Sequence, residues 1–315
     1  MRLPASGWDR WDRARERAAA SAILPGMSGS RSAKPRIAIV GAGNLASALA
    51  ISLYEAGYVI EQIVSRSGAA SLRRAQRRGR EVGAPAIAAE RAKIRAEIVW
   101  FCVPDGAIAA AAQSLVEATD WSGKVALHSS GALTSDELAV LRKQGASVAS
   151  VHPLMTFVRG SRPALAGVPF AIEGDSIAVR TARTIVRNLR GQPFTIRKEH
   201  KGVYHAWGTF TSPLLTALLA ASERVAVAAG VNRKAARERM LPILRQTLAN
   251  YARLGAAESF SGPIPRGDVA TVKKHLKVLG KIPQAREVYI ALTRTAMRDL
   301  PARNRAALEK ILRLE

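Results

Sequence analysis

The chain has 315 residues, of which 48% are hydrophobic and 5% aromatic, with a single cysteine and a formal net charge of +24. This length suffices for a full hydrophobic core and predicts about two domains. One cysteine excludes a disulfide framework and is typical of a reducing compartment, so we expect a cytoplasmic protein. No apolar stretch reaches the roughly 18 residues that a membrane span needs, so we expect no membrane partner.

The strong positive charge is compatible with nucleic acid, a membrane surface or an anionic small molecule as partner. The basic residues are scattered along several predicted helices and are not interleaved with aromatic residues. We therefore interpret most of them as a solvated surface and do not expect nucleic acid as a partner. A steep salt dependence of DNA binding would support the opposite interpretation.

Residues 1–33 are rich in Arg, Ser and Gly and lack apolar periodicity, so we expect a disordered extension there. Short apolar runs and helical patterns then alternate as far as residue 197, which predicts an α/β, doubly wound parallel sheet of the Rossmann class. The predicted strands are Arg36–Val40, Val59–Val64, Ala86–Ala88, Glu97–Val103, Lys124–His128, Ser147–His152, Pro169–Ile172 and Pro193–Ile196. Strand patterns vanish over residues 198–315, which predicts an all-helical second domain that begins with one long helix over residues 201–230.

The loop after the first strand has the pattern of a dinucleotide-binding turn. Gly41 permits a tight turn, Gly43 lets the backbone approach a pyrophosphate, and Ala46 is small enough for close packing of helix on strand. Asn44 and Leu45 open the following helix, whose free amides and partial positive charge favour phosphate. The strand-turn-helix context makes the match specific. The alternative is a Rossmann domain that has lost its cofactor.

The end of the second strand indicates which dinucleotide is bound. NAD-binding proteins usually carry Asp or Glu there, whereas this chain has Ser65, Arg66 and Ser67. The hydroxyl groups can donate hydrogen bonds, and the guanidinium can form a charged fork to a 2′-phosphate. We therefore predict NADP(H) as the cofactor. The alternative is an exposed turn followed by a solvated basic helix.

Polar residues stand at the carboxyl ends of the next strands, where ligands of open α/β sheets bind. We expect the fourth strand end to contact the cofactor, and histidines at the fifth and sixth to contact substrate, although each histidine alone is also compatible with bonding a loop carbonyl. The cofactor residues are Val103, Pro104 and Asp105, and the substrate residues are His128, Ser129 and His152. No metal-ligand spacing is present among the histidines.

The second domain contributes further candidates. Lys201 and His205 are four residues apart and therefore share a helix face, and Ser212 lies on the same face two turns later. A lysine near the nicotinamide can protonate or polarise a carbonyl, and a histidine can share that role, so we predict both as catalytic and Ser212 as a substrate contact. The alternative is a solvated Lys201 beside a packing histidine. Arg266, in a Gly/Pro-rich turn, is a candidate for an anionic substrate group, and Asp268 after it is a candidate N-cap.

These motifs together resemble one family, the Rossmann-like proteins with a C-terminal domain of unknown function 2520. The residues that carry the resemblance are Gly41–Ala46, Phe101–Asp105, His128–Ala132, Val151–Leu154, Lys201 with Tyr204–Ala206, and Gly262–Asp268. That family is similar to pyrroline-5-carboxylate reductase and, more distantly, to the beta-hydroxyacid dehydrogenases. The resemblance implies an NADP-binding domain, an all-helical dimerisation domain and an active site in the cleft between them.

The sequence departs from these relatives at two positions. In the beta-hydroxyacid dehydrogenases the catalytic Lys is followed four residues later by Asn, whereas His205 stands there in this chain. The family often has Ser-Asn further along the helix, whereas this chain has Ser212 and Pro213, and the proline is expected to kink the helix.

Two functions follow as hypotheses. The first is an NADP(H)-dependent oxidoreductase, acting as a homodimer, that reduces a C=O or C=N bond of a small anionic substrate. The second is an NADP(H) sensor that regulates a partner without turnover. Failure to oxidise NADPH across a broad carbonyl and imine panel would favour the second.

Overall fold

The structure, a computed structural model, describes residues 34–161 and 163–313, so the extension expected over residues 1–33 lies outside the described residues. Eight strands form one sheet in the order β3-β2-β1-β4-β5-β6-β7-β8. The strands are β1 Ile37–Val40, β2 Ile60–Ser65, β3 Ala86–Ala88, β4 Ile98–Phe101, β5 Val125–His128, β6 Ser147–Pro153, β7 Pro169–Gly174 and β8 Gln192–Thr195. The order of the first six is that of a Rossmann fold, as the sequence predicts.

The last two strands depart from the predicted parallel sheet. β7 runs antiparallel to β6, with Ser150 opposite Glu173 and His152 opposite Ala171, and β8 is parallel to β7. The connection from β6 to β7 contains no helix among its described residues, so the chain makes no right-handed crossover and turns back. The apolar pattern of these strands reports burial and carries no information on direction.

In the described part of the chain, five helices accompany the sheet and cover both of its faces. They are α1 Asn44–Glu55, α2 Ala69–Glu81, α3 Ile108–Ser114, α4 Ala139–Lys143 and α5 Ser176–Asn188. Alternate residues of β1 enter different cores: Ile37 and Ile39 pack on one face, and Ala38 and Val40 on the other. A strand buried on both faces reads as a continuous apolar run, which is why these strands are recognisable in the sequence.

The described chain after β8 is helical. Its helices are α6 Lys201–Thr209, α7 Leu215–Ala228, α8 Arg233–Ser259, α9 Pro263–Arg266, α10 Val269–Leu279, α11 Pro283–Asp299 and α12 Arg305–Arg313. Val272, Leu276, Ile290, Met297 and Leu308 form its core. Asp268 caps α10 through a 3.0 Å bond from the Thr271 amide, as predicted.

The long helix predicted over residues 201–230 is interrupted. A π-helical turn over Phe210–Leu214 separates α6 from α7 and contains Pro213, whose ring nitrogen cannot donate the helical hydrogen bond. Likewise α8 is broken at Gly255, where φ is 77°. Among the described residues, no single helix is long and apolar enough to cross a membrane, and one strongly bent pair, 198–228 with 233–266, meets the criteria by length and composition only.

Candidate functional site

The loop between β1 and α1 fits a pyrophosphate. A Cβ on Gly41 would lie 2.4 Å from the Cys102 carbonyl oxygen, and its φ is 120°, so only glycine lets β1 and the end of β4 approach this closely. A Cβ on Gly43, by contrast, would meet nothing within 4 Å. Gly43 is the N-cap of α1, which has no side-chain cap and no acidic residue in its first turn. The helix amides therefore face open space with favourable polarity for an anion.

The other predicted loop residues have structural contacts. The Asn44 side-chain amide donates to the Phe157 carbonyl at 3.1 Å and so ties the loop to the segment after β6. Ala46 is buried in the core, where a small residue lets α1 pack closely on the sheet, and Leu45 is partly buried. These residues shape the loop, and the open space beside it lies at Gly43.

At the end of β2, one cation has no partner among the described residues. Ser65 is the last residue of the strand, nearly buried, and its hydroxyl donates to the Arg66 carbonyl at 3.1 Å. Arg66 and Ser67 are exposed, and the Arg66 guanidinium forms no hydrogen bond or ion pair with the described residues. An unpaired guanidinium beside a phosphate loop suits a 2′-phosphate, and this arrangement fits NADP(H).

The turn after β5 is held together by His128, which is completely buried. Its Nδ1 accepts from the Ser130 amide at 3.1 Å, so its Nε2 carries the proton donated to the Thr134 carbonyl at 2.9 Å. Burial lowers the pKa of His128 to about 4, which keeps the ring neutral. Both ring nitrogens are engaged within the turn, as in the alternative of a histidine that bonds a loop carbonyl, and the predicted substrate contact of His128 stays a prediction.

Ser130 is the centre of that turn. Its hydroxyl donates to Asp105 at 2.8 Å and accepts from the amides of Ala132 and Leu133. Asp105 is therefore held beside the turn after β5. Its neighbour Pro104 is exposed, and Val103 is partly buried. The Ser129 hydroxyl accepts from Trp100 Nε1 at 2.9 Å, a contact that anchors the turn to β4.

Gly131, which follows Ser130, lies between two histidine rings. A Cβ on Gly131 would be 2.8 Å from His152 Nε2 and 2.7 Å from His205 Cδ2. The two rings are edge-to-face with centroids 6.3 Å apart. Gly131 is buried, yet its amide donates no hydrogen bond within the described part of the chain. Unpaired buried amides are rare in folded proteins and are commonly completed by ligand or water.

His152 is paired with Tyr204 of α6. The hydroxyl of Tyr204 lies 2.8 Å from His152 Nδ1, whereas Nε2 has no partner among the described residues. Burial, and secondarily the positive charge of Lys201, lowers the pKa of His152 to about 4. Burial raises the pKa of Tyr204 to about 12, so the phenol keeps its proton. His205, one residue further, is exposed.

Lys201 is buried, with 1% of its surface exposed, so the alternative of a solvated lysine is wrong. Its ammonium donates to the Ser130 carbonyl at 3.0 Å and to the Ser150 hydroxyl at 2.5 Å, and it lies 3.9 Å from Glu173 Oε1. Burial lowers the pKa of Lys201 to about 8, and the nearby carboxylates of Glu173 and Asp105 oppose that shift. The described contacts of the ammonium are thus all with protein groups, and its predicted catalytic role stays a prediction.

Two predicted substrate residues lie apart from this cluster. The described contacts of Ser212 stay within its own helix, where its carbonyl accepts from Thr216. Arg266 is exposed at the end of α9, and the charge that it influences is Asp268. Their predicted role as substrate contacts stays a prediction.

Three residues without an assigned role in the sequence prove central: Gly131, Tyr204 and Glu173. Glu173 had a recognisable signal, since it is a lone carboxylate in the apolar strand β7, and a buried carboxylate needs a partner. Tyr204 shares a helix turn with Lys201. Nothing in the spacing of Gly131 indicates that two histidines from distant segments pack on it.

Comparison with known proteins confirms the resemblance. Residues 23–153 match the Rossmann-like domain and residues 168–296 match the domain of unknown function 2520. A search of curated proteins returned no significant match. Among solved structures, a candidate NADP oxidoreductase, BF3122 from Bacteroides fragilis, is similar with a TM-score of 0.71 and 23% identity, over 83% of this chain and 97% of that one.

Two further structures share the fold at lower identity. A reductive aminase from Aspergillus terreus, solved with NADPH and ethyl-5-oxohexanoate, has a TM-score of 0.60 and 14% identity over 88% of this chain and 99% of its own. A pyrroline-5-carboxylate reductase from Coxiella burnetii has a TM-score of 0.53 and 14% identity over 83% and 96%. The chain thus joins a Rossmann-like domain to a domain of unknown function 2520.

Proposed function

We propose that the protein is an NADP(H)-dependent oxidoreductase that reduces a C=O or C=N bond of a small molecule. The observation that carries the proposal is the position of Gly131 at the carboxyl end of the parallel strands. The rings of His152 and His205 both come within 2.8 Å of the place that a Cβ would take there, and the amide of Gly131 has no partner among the described residues. This is the edge of a doubly wound sheet where a dinucleotide and its substrate meet. The NADP oxidoreductases and NADPH complex among the similar structures support the proposal.

The cofactor would lie along the same edge. The open space at Gly43 and the amides of α1 accommodate the pyrophosphate, and Arg66 the 2′-phosphate. Asp105, Pro104 and Val103 line the path from there to the turn after β5. When bound, NADPH supplies a hydride for the carbon of the substrate double bond.

The protein's own groups act on the other atom of that bond. In the tautomer that we propose, the Tyr204 hydroxyl donates to His152 Nδ1, so that Nε2–H is free beside Gly131. A neutral imidazole N–H and a backbone amide can together polarise an acceptor oxygen or nitrogen without a net charge. His205 is exposed to water, and its ring also packs against Gly131. It therefore delivers the proton to the substrate and takes up another proton from solvent.

Our proposal leaves the charge of the substrate open. The expectation of an anionic substrate rested on Arg266, which no described contact brings to Gly131. The exposed charge held at the turn is instead the carboxylate of Asp105.

The test is an NADPH-oxidation screen with carbonyl compounds, cyclic imines and ketone–amine mixtures, with NADH as the comparison. We expect turnover of at least one class with NADPH, and its loss in Gly131→Ala, because the new methyl would occupy the space between the rings. Gly202→Ala is a matched control, since Gly202 is exposed on α6 and a Cβ there meets nothing within 4 Å. Tight NADPH binding without turnover of any class would instead favour the sensor.

We further propose a cytoplasmic homodimer in which residues 198–315 form the dimerisation domain. An apolar groove of about 780 Å³ runs between α7, α10 and α11. Its wall includes Leu218, Val225, Val278, Tyr289 and Leu292. An apolar groove between helices suits the apolar face of another helix.

The occupant that we propose for this groove is α8 of a second copy. Only Ala236 of α8 is buried, whereas Ile243 is 68% exposed and Tyr251 59% exposed. Light scattering should give twice the chain mass for the wild type. Ile243→Glu should yield monomers. Ala249→Glu, about 120° around the same helix from Ile243, should not. A monomeric wild type would refute the dimer.

A further inference from the structure

The ammonium of Lys201 is held by protein groups on every described contact. It donates hydrogen bonds to the Ser130 carbonyl at 3.0 Å and to the Ser150 hydroxyl at 2.5 Å, and it forms an ion pair with Glu173 Oε1 at 3.9 Å. Two of its three N–H groups are therefore engaged in hydrogen bonds, and its charge is paired with a buried carboxylate. The side chain is also sealed from solvent.

The two hydrogen-bond acceptors of Lys201, Ser130 and Ser150, belong to the segments that carry the proposed reacting groups. Ser130 immediately precedes Gly131, and Ser150 lies two residues before His152 on β6. The hydroxyl of Ser150 also donates to the Ser130 carbonyl at 3.0 Å, so both contacts meet at one point. His205 follows Lys201 by about one helical turn on α6. One side chain thus connects the three segments that meet at Gly131.

Glu173 makes this connection possible. It lies opposite Ser150 on β7, and its carboxylate accepts from the Ser135 amide at 2.7 Å and from the Ser135 hydroxyl at 2.9 Å. Both charged side chains are almost fully buried. Removing one member of such a pair leaves an uncompensated charge, whereas neutralising both does not.

We propose that Lys201 is a positioning residue: paired with Glu173, it fixes α6 against the turn after β5 and so sets the gap between His152 and His205 across Gly131. It does not itself donate the proton in reduction. The expected effect of Lys201 on turnover rests on the proposed function, whereas its expected effect on the gap between the two histidines does not.

The experiment is a double-mutant cycle with Lys201→Met, Glu173→Gln and the double variant. Each is measured for kcat, NADPH affinity, thermal stability and the ring signals of His152 and His205 in NMR spectra. Each single change should lower kcat by about 10- to 100-fold, as expected when reacting groups are displaced by up to an ångström. Both should also shift the histidine signals and leave NADPH affinity within about twofold of wild type, because Gly43 and Arg66 lie elsewhere.

The double variant decides the question. We expect it to regain stability, wild-type ring signals and kcat within about fivefold of wild type, because no buried charge is left unpaired. If the double variant regains the ring signals but keeps the low kcat of Lys201→Met, Lys201 supplies the proton. If the ring signals are not restored, Glu173 is not the counter-ion of Lys201. Either result overturns the proposal.

A matched control and an independent readout complete the design. The control is Lys198→Met, three residues before Lys201, which removes an exposed ion pair with Asp136. It should change no measured quantity appreciably. If the wild type reduces no compound, the proposed function fails, and the stability and ring-signal cycle still tests the positioning role.

Discussion

The two glycines of the phosphate loop should respond in opposite ways to the addition of one methyl group. In Gly41→Ala the Cβ would lie 2.4 Å from the Cys102 carbonyl oxygen at a φ of 120°. Backbone strain of about 1–3 kcal/mol and a packing displacement of similar size should together lower the free energy of unfolding by about 2–6 kcal/mol.

In Gly43→Ala the φ of −76° is ordinary and the Cβ has open space. The smaller entropy of the unfolded chain, about 0.4–1 kcal/mol, offsets the loss of a favourable N-cap residue, so stability should change by less than about 0.5 kcal/mol. The methyl nevertheless occupies the approach of the pyrophosphate. Losing one or two charged hydrogen bonds of about 1.5–3 kcal/mol each should weaken NADPH binding by about tenfold to a thousandfold or more.

Urea unfolding without ligand and fluorescence titration with NADPH measure the two effects separately. Gly41→Ala should be unstable, and Gly43→Ala should be stable but deficient in NADPH binding. A Gly43→Ala variant that binds NADPH as the wild type does would refute the assignment of this loop to the pyrophosphate.

Three other predictions concern the cofactor, the histidine pair and pH. Arg66→Gln should weaken NADPH by about tenfold or more while leaving NADH unchanged, as seen by calorimetry, since only the 2′-phosphate contact is lost; equal losses for both would contradict this role. Tyr204→Phe should lower kcat by about tenfold without changing NADPH affinity, because His152 loses the donor that fixes its tautomer; unchanged kcat would remove Tyr204 from the site. The pKa values of His128 and His152 are near 4 in the folded chain against 6.5 ordinarily, so the unfolded state binds more protons below pH 6.5. Stability should therefore fall as pH drops from 6.5 to 4, by about 2 kcal/mol per histidine at pH 5 in urea unfolding, and less steeply in His128→Gln.

Much of the fold follows from the sequence because its periodicity is simple. Strands buried on both faces appear as continuous apolar runs, and the glycine pattern after β1 fixes the start of the sheet. The direction of β7 does not follow, since burial patterns are the same for parallel and antiparallel strands. The break in the helix after α6 was partly foreseeable, because Pro213 cannot donate a helical hydrogen bond.

The sequence predicts which segments form the candidate site, but it does not predict the role of each side chain in it. The sequence identifies the turn after β5, the end of β6 and the start of α6 as neighbours. It does not show that His128 has both nitrogens engaged, or that Lys201 turns inward to Glu173 while His205 stays exposed. Those outcomes depend on contacts between residues as far apart as Ser130 and Lys201, which local spacing cannot specify.

The most direct test of the account is the fate of the hydride. NADPH deuterated at both C4 positions would be incubated with the wild type and with each compound of the carbonyl and imine panel, and the products would be analysed by mass spectrometry. We predict that one deuterium appears in the reduced product with wild type and is lost in Gly131→Ala, which still binds NADPH. Saturating NADPH binding with no deuterium in any product would contradict the assignment of an oxidoreductase.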